Sequence, residues 1–154
     1  MRHATHHRLR LGRRSIARHV YLCTTVTHGR VRYFEDLLLA RIVMRAFAHY
    51  DATGTTRTLA AVVMPDHFHW LVQLTGTTTL QGLMKGVKSF TANSINRRLG
   101  RDGPVWQAGF HDHGVRRDES LARIARYVIG NPLRAGLVVD LGDYPHWHAD
   151  WDLI

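Results

Sequence analysis

The amino-acid sequence predicts an α+β fold: an antiparallel sheet of four strands with two helices on one face, followed by a further helix. Three observations predict it. Segments rich in β-formers alternate with segments whose apolar residues recur at helical spacing, in the order β-α-β-β-α-β and then one more helix. A turn signal, Pro65-Asp66, divides the second strand from the third. No internal repeat, heptad run or low-complexity block breaks the pattern. That order is a ferredoxin-like layout.

Each element carries its own signal. "RHVYLCTTVTH", residues 18–28, is dense in β-branched and aromatic residues and reads as the first strand. "FEDLLLARIVMRAFAHYD" has apolar residues at helical spacing and reads as the first helix, and the Thr cluster around Gly54 marks a loop. "RTLAAVVMP" and "HFHWLVQL" are the second and third strands. "LQGLMKGVKSFTANSINRRL" places Leu80, Leu83, Met84, Val87, Phe90, Ile95 and Leu99 near one face of a second helix. "RDGPVWQAG" is a loop and "FHDHGVR" a short fourth strand. "ESLARIARYVIGN" is a third helix, stopped at Asn131 because the residue before Pro132 disfavours helical geometry. The remainder, "DYPHWHADW" included, reads as irregular.

At 154 residues the chain is one domain with a sizeable core, here 18–154, preceded by a basic arm over 1–17. No apolar run approaches the roughly 20 residues of a membrane helix, and the basic N-terminus lacks the apolar stretch of a secretory signal. One cysteine, Cys23, excludes an intrachain disulfide and fits a reducing cytoplasm. Lys and Arg number 21 against 12 acids, a formal net charge of +9. All but Lys85 and Lys88 are Arg, and eight arginines precede the first acid, Glu35. Arg forks onto phosphate and stacks on bases, so nucleic acid is the leading partner. A compositional bias toward Arg would account for the choice of Arg over Lys, but not for the net charge.

Within the third strand, His67 and His69 stand at i and i+2. They project from the same face while Phe68 points to the other. Two imidazoles on a rigid strand make half a metal site; the plain alternative is two histidines on a solvent face. His111/His113 and His146/His148 repeat the spacing without a strong apolar strand and read as surface histidines. On the third helix Tyr127 and Asn131 share a face, with Arg123 one turn earlier. Tyr127 is either a half-buried packing residue or a phenol nucleophile. Asn131 is either a helix stop or an amide oxygen able to bind a metal.

"MPDHFHWLV" resembles the histidine–hydrophobe–histidine motif of the IS200-like single-tyrosine HUH transposases found in small insertion sequences. "VWQAGFHDHGVR" followed by "ARYVIGNPLRAGLV" and "DYPHW" is similar to their REP-associated tyrosine transposase branch, in the same order along residues 18 to 148. The resemblance implies that His67, His69 and Asn131 are metal ligands and Tyr127 the nucleophile. The arm arginines Arg8, Arg10, Arg13 and Arg14, with Lys85, Lys88 and Arg123, would contact DNA. Two neutral imidazoles and an amide suit Mg²⁺ or Mn²⁺ acting as a Lewis acid on a phosphate. A free phenol, with pKa about 10, needs activation; the sequence identifies no base.

The implied activity is cleavage and rejoining of single-stranded DNA beside hairpins through a 5′-phosphotyrosine. The implied working unit is a single chain, although relatives in the wider group act as dimers with exchanged tyrosines. Two other readings stand beside it: a domesticated hairpin-binding protein without cleavage, and a zinc hydrolase built on some of the 12 histidines.

Overall fold

The computed structural model describes residues 19–152. The basic arm expected over 1–17, with Arg8, Arg10, Arg13 and Arg14, lies outside them. In chain order come β1 (Val20–Val26), α1 (Leu37–Ala52), β2 (Thr56–Met64), β3 (His67–Leu74), α2 (Leu80–Leu99), β4 (His111–Gly114), α3 (Leu121–Ile129), α4 (Asn131–Arg134) and β5 (Trp147–Ala149). The strands form one sheet in the order β4-β1-β3-β2-β5, with every neighbouring pair antiparallel. The first four give the ferredoxin-like order. β5 corrects the expectation of four strands: the stretch read as irregular pairs with β2, Ala149 opposite Ala60 and Trp147 opposite Val62. Three residues are too few to display alternation, and they become a strand because β2 offers an open edge.

Period-two alternation sorts the sheet into two cores. Phe68, Trp70 and Val72 of β3 pack with Val43 and Phe47 of α1 and with Leu83, Met84 and Val87 of α2. Phe47 stacks on Trp70 with ring centres 4.3 Å apart, and Trp70 Nε1 donates to Thr58 Oγ1 at 2.9 Å. The opposite face carries Leu71, Val62 and Ala60, covered by Ala125, Val128 and Ile129 of α3. Burying Val128 and Ile129 contributes about 1.5–3 kcal/mol each. So α1 and α2 lie on one side of the sheet and α3 on the other.

Local signals set the helix ends. Asp36 caps α1 by accepting from Leu38 N at 2.8 Å, and Thr79 caps α2 by accepting from Gly82 N at 3.0 Å. Gly100 ends α2 in the left-handed region, φ 62°. Two expectations are corrected. Phe90 and Leu99 leave the α2 core and are 56% and 43% exposed; each lies about 90° from the centre of the buried stripe. Thr91 turns inward instead, accepting from Trp106 Nε1 at 2.9 Å and donating to Val87 O at 2.7 Å. The third helix ends at Ile129, not Asn131. Gly130 keeps a helical backbone (φ −78°, ψ −5°) and Asn131 begins α4, where Pro132 sits in the first turn and its missing N–H costs nothing. No helix of the described residues is long and apolar enough to cross a membrane.

Candidate active site

The alternation of β3 places His67 and His69 on the face that α3 covers. Their ring centres are 5.0 Å apart and their planes cross at 80°. Each ring is held by its Nδ1. His67 Nδ1 lies 2.7 Å from Asp66 Oδ1. A carboxylate only accepts, so Nδ1 donates, and in the neutral ring that tautomer leaves the lone pair on Nε2. His69 Nδ1 lies 2.7 Å from the hydroxyl of Thr24, the residue directly opposite on β1. With that hydroxyl accepting, His69 presents Nε2 in the same way.

The electrostatics favour the same form. Burial first, then the charges of His67 and Arg134, push His69 down to about 4, so its ring is neutral at ordinary pH. Asp66 stays an anion. Burial would raise its carboxyl, but the hydrogen bonds and charges of His67 and of Arg30, 3.2 Å away, bring it below the usual range.

Tyr127 stands on the outer side of α3, 58% exposed, because Ala125, Val128 and Ile129 take the inner side. It is therefore not a core residue. Ser120 caps the helix by accepting from Arg123 N at 3.2 Å, and Arg123 is exposed. Asn131 follows the helix and is half-buried. Its Nδ2 donates to Val128 O at 3.1 Å and Tyr127 O at 3.5 Å, so the amide caps the last carbonyls of α3 and keeps Oδ1 as an acceptor.

Lys85 and Lys88 lie on α2, on the opposite side of the sheet from the histidines. Lys85 is exposed. Lys88 Nζ is spent on the loop before β4, donating to Gln107 O at 2.7 Å and Gly109 O at 2.6 Å. Burial lowers its pKa.

Among the other histidines, His111, His113 and His148 are exposed as expected, and His113 Nε2 contacts Glu119 at 2.9 Å. His146 corrects that expectation: it is buried beside Tyr144, because β5 is drawn into the sheet, and its Nε2 has no hydrogen-bond partner among the described residues. Among the described residues no group of three His, Cys, Asp or Glu side chains is placed to hold a metal ion, so the donor set of a zinc hydrolase is missing there.

Sequence reasoning missed Thr24, Asp66 and Arg134. Asp66 was legible only as a turn residue, although its place beside His67 was a usable signal. Thr24 needed the β1–β3 register. Arg134 lies over the Tyr127 ring, its guanidinium carbon 3.9 Å from the ring centre.

Three comparisons bear on this geometry. A family model described as IS200-like transposase matches residues 15–131. A Haemophilus influenzae protein, provisionally assigned as a REP-associated tyrosine transposase, is 31% identical over 149 residues, covering 85% of this chain and 81% of its own. Among solved structures, that of the REP-associated tyrosine transposase bound to a REP hairpin superposes with a TM-score of 0.68 at 19% identity, over 83% of this chain and 74% of that one. A Deinococcus radiodurans protein provisionally assigned as a transposase gives 0.54 at 19% identity, over 71% and 87%. At such identities the structural likenesses speak to the fold. With the family model spanning most of the chain and the histidine pair and tyrosine helix on one sheet face, the chain belongs to the IS200-like transposases, in their REP-associated tyrosine transposase branch.

Proposed function

We propose that this transposase is a metal-dependent single-strand DNA endonuclease and strand transferase acting beside hairpins, with Tyr127 as nucleophile. The observation that carries the reading is the seating of the tyrosine helix, by Ala125, Val128 and Ile129, on the same sheet face as two imidazoles held by their Nδ1 atoms. The Tyr127 oxygen attacks the scissile phosphorus, the bond to the 3′ oxygen breaks, and that oxygen leaves as a 3′-hydroxyl after taking a proton. The 5′ end stays on the tyrosine as a phosphodiester. Its bond energy is kept for rejoining, so no ATP is needed.

The donor set fits a divalent ion. His67 and His69 would hold Mg²⁺ or Mn²⁺ through Nε2, and Asn131 through Oδ1. The bound ion supplies positive charge against the phosphate oxygens. Asp66 and Thr24 fix the two rings. Because α3 packs on its own sheet, one chain supplies both nucleophile and ligands, and a monomer suffices. Net charge +9, with the arm arginines, Lys85 and Arg123, suits a phosphate backbone. Hairpin DNA is the proposed partner, as in the solved relative bound to a REP hairpin.

The test is a labelled hairpin oligonucleotide with a single-stranded flank, incubated with the protein and Mn²⁺ and resolved under denaturing conditions. A covalent adduct is expected from the parent and none from Tyr127→Phe, with hairpin binding kept by both. Binding without any adduct from the parent would leave a domesticated hairpin-binding protein. An adduct from Tyr127→Phe would mean another residue attacks.

A further inference from the structure

Arg134 lies across the tyrosine. Besides the guanidinium 3.9 Å from the Tyr127 ring centre, its Nη2 donates to the backbone carbonyl of Tyr127. One side chain therefore grips the residue at its ring and at its backbone. Among the described residues no hydrogen-bond partner holds the Tyr127 hydroxyl, so the stack is the contact that restrains the exposed ring beyond what the helix backbone imposes. The chain makes room for this contact at Gly130. A Cβ there would stand 2.7 Å from Arg134 Nη1 and 3.1 Å from the Arg126 carbonyl oxygen. At φ −78° any residue fits the backbone of Gly130, so the space and not the conformation asks for glycine. Buried Pro132 anchors α4, which carries Arg134 two turns beyond Tyr127. The charge of Arg134 also reaches His69.

We propose that Arg134 is a positioning residue for the nucleophile, clamping the Tyr127 ring in the orientation from which its oxygen attacks, and that Gly130 is the gap admitting the clamp. This rests on the cleavage reading above and deepens it. Misplacing a nucleophile by about 1 Å costs on the order of a hundredfold in rate. Arg134→Ala therefore lowers the first-order rate of adduct formation at saturating hairpin by about ten- to a hundredfold, while the hairpin dissociation constant moves less than about threefold. Arg134→Lys keeps the charge but loses the flat, forked group, and stays near the Ala variant. Gly130→Ala leaves the arginine in the chain and favours the helix, yet shows the same defect because its methyl displaces Arg134.

The experiment combines these single-turnover rates and binding curves with NMR of the free protein labelled at arginine side chains. In the parent, ring current shifts the Arg134 side-chain signals. The shift is expected to vanish in Gly130→Ala and in Tyr127→Leu. Unshifted Arg134 signals in the parent overturn the proposal, as does an Arg134→Ala rate within about twofold of the parent. A loss confined to hairpin affinity also overturns it, making Arg134 a DNA contact. A parent that forms no adduct while its Arg134 signals are shifted instead brings down the cleavage reading; the clamp's role in attack falls with it, and only the stack stands.

Discussion

Asp66 and His67 are neighbours in the chain and partners in the site: Asp66 Oδ1 accepts a hydrogen bond from His67 Nδ1 at 2.7 Å, while its Oδ2 holds Arg30 at 3.2 Å. The carboxylate thereby fixes which nitrogen of His67 is left for a ligand. Removing such a partner usually lowers metal affinity about 10- to 100-fold. Asp66→Ala should raise the Mn²⁺ concentration needed for half-maximal adduct formation by that factor, with Asp66→Asn in between. A Mn²⁺ titration of the three proteins measures it, and an unmoved midpoint in Asp66→Ala would exclude this role.

His69 predicts a pH dependence of stability. In the folded chain it titrates at about 4, chiefly because it is buried, against 6.5 when exposed. Between those values the unfolded chain takes a proton that the folded chain refuses, so stability falls as pH drops from 6.5 toward 4 and this contribution then levels off. Above 6.5 neither state is protonated and His69 adds no slope. The loss is at most about 3 kcal/mol. Urea unfolding of the parent and His69→Gln at pH 7, 5.5 and 4 should show a flatter profile in the variant. Parallel profiles would assign the acid sensitivity elsewhere.

Lys85 and Lys88 lie one turn apart on α2 and should behave differently. Lys88 ties Gln107 and Gly109 to the helix, so Lys88→Met should cost about 1–3 kcal/mol in unfolding free energy. Exposed Lys85→Ala should stay within about 0.5 kcal/mol. If Lys85 touches single-stranded DNA, its loss flattens the log–log salt slope of hairpin binding by about 0.7. Equal stability of the two variants would contradict the assignment of Lys88 to the loop.

Asn131 both caps α3 and is the proposed third ligand, and the two roles separate by substitution. Asn131→Asp cannot donate to Val128 O and puts a negative charge at the helix C-terminus, so it should unfold about 0.5–1 kcal/mol more easily. It should nonetheless bind Mn²⁺ more tightly and cleave more slowly, since its charge offsets that of the ion. The expected order of rates is parent, Asp, then Ala and Gly. If Asn131→Gly cleaves like the parent at low Mn²⁺, the residue is a cap and the third ligand lies elsewhere.

Read alone, the sequence determined whatever depends on near neighbours. Period-two alternation put His67 and His69 on one face with Phe68 on the other, and helical spacing outlined α1 and α2 and placed Tyr127 and Asn131 one turn apart. Those features depend on a few consecutive residues and on backbone geometry. The tertiary structure decided what depends on pairing between distant segments. Only the β1–β3 register sets Thr24 against His69, and only the open edge of β2 turns Trp147–Ala149 into a strand and buries His146. Only the choice of sheet face brings the Tyr127 helix to the histidine side and leaves Lys85 and Lys88 on the other. Arg134 reaches the Tyr127 ring because helical backbone continues through Gly130, which the proline after Asn131 gave reason not to expect. Such contacts arise when two surfaces each bury apolar area against the other, and no short window of sequence contains both surfaces.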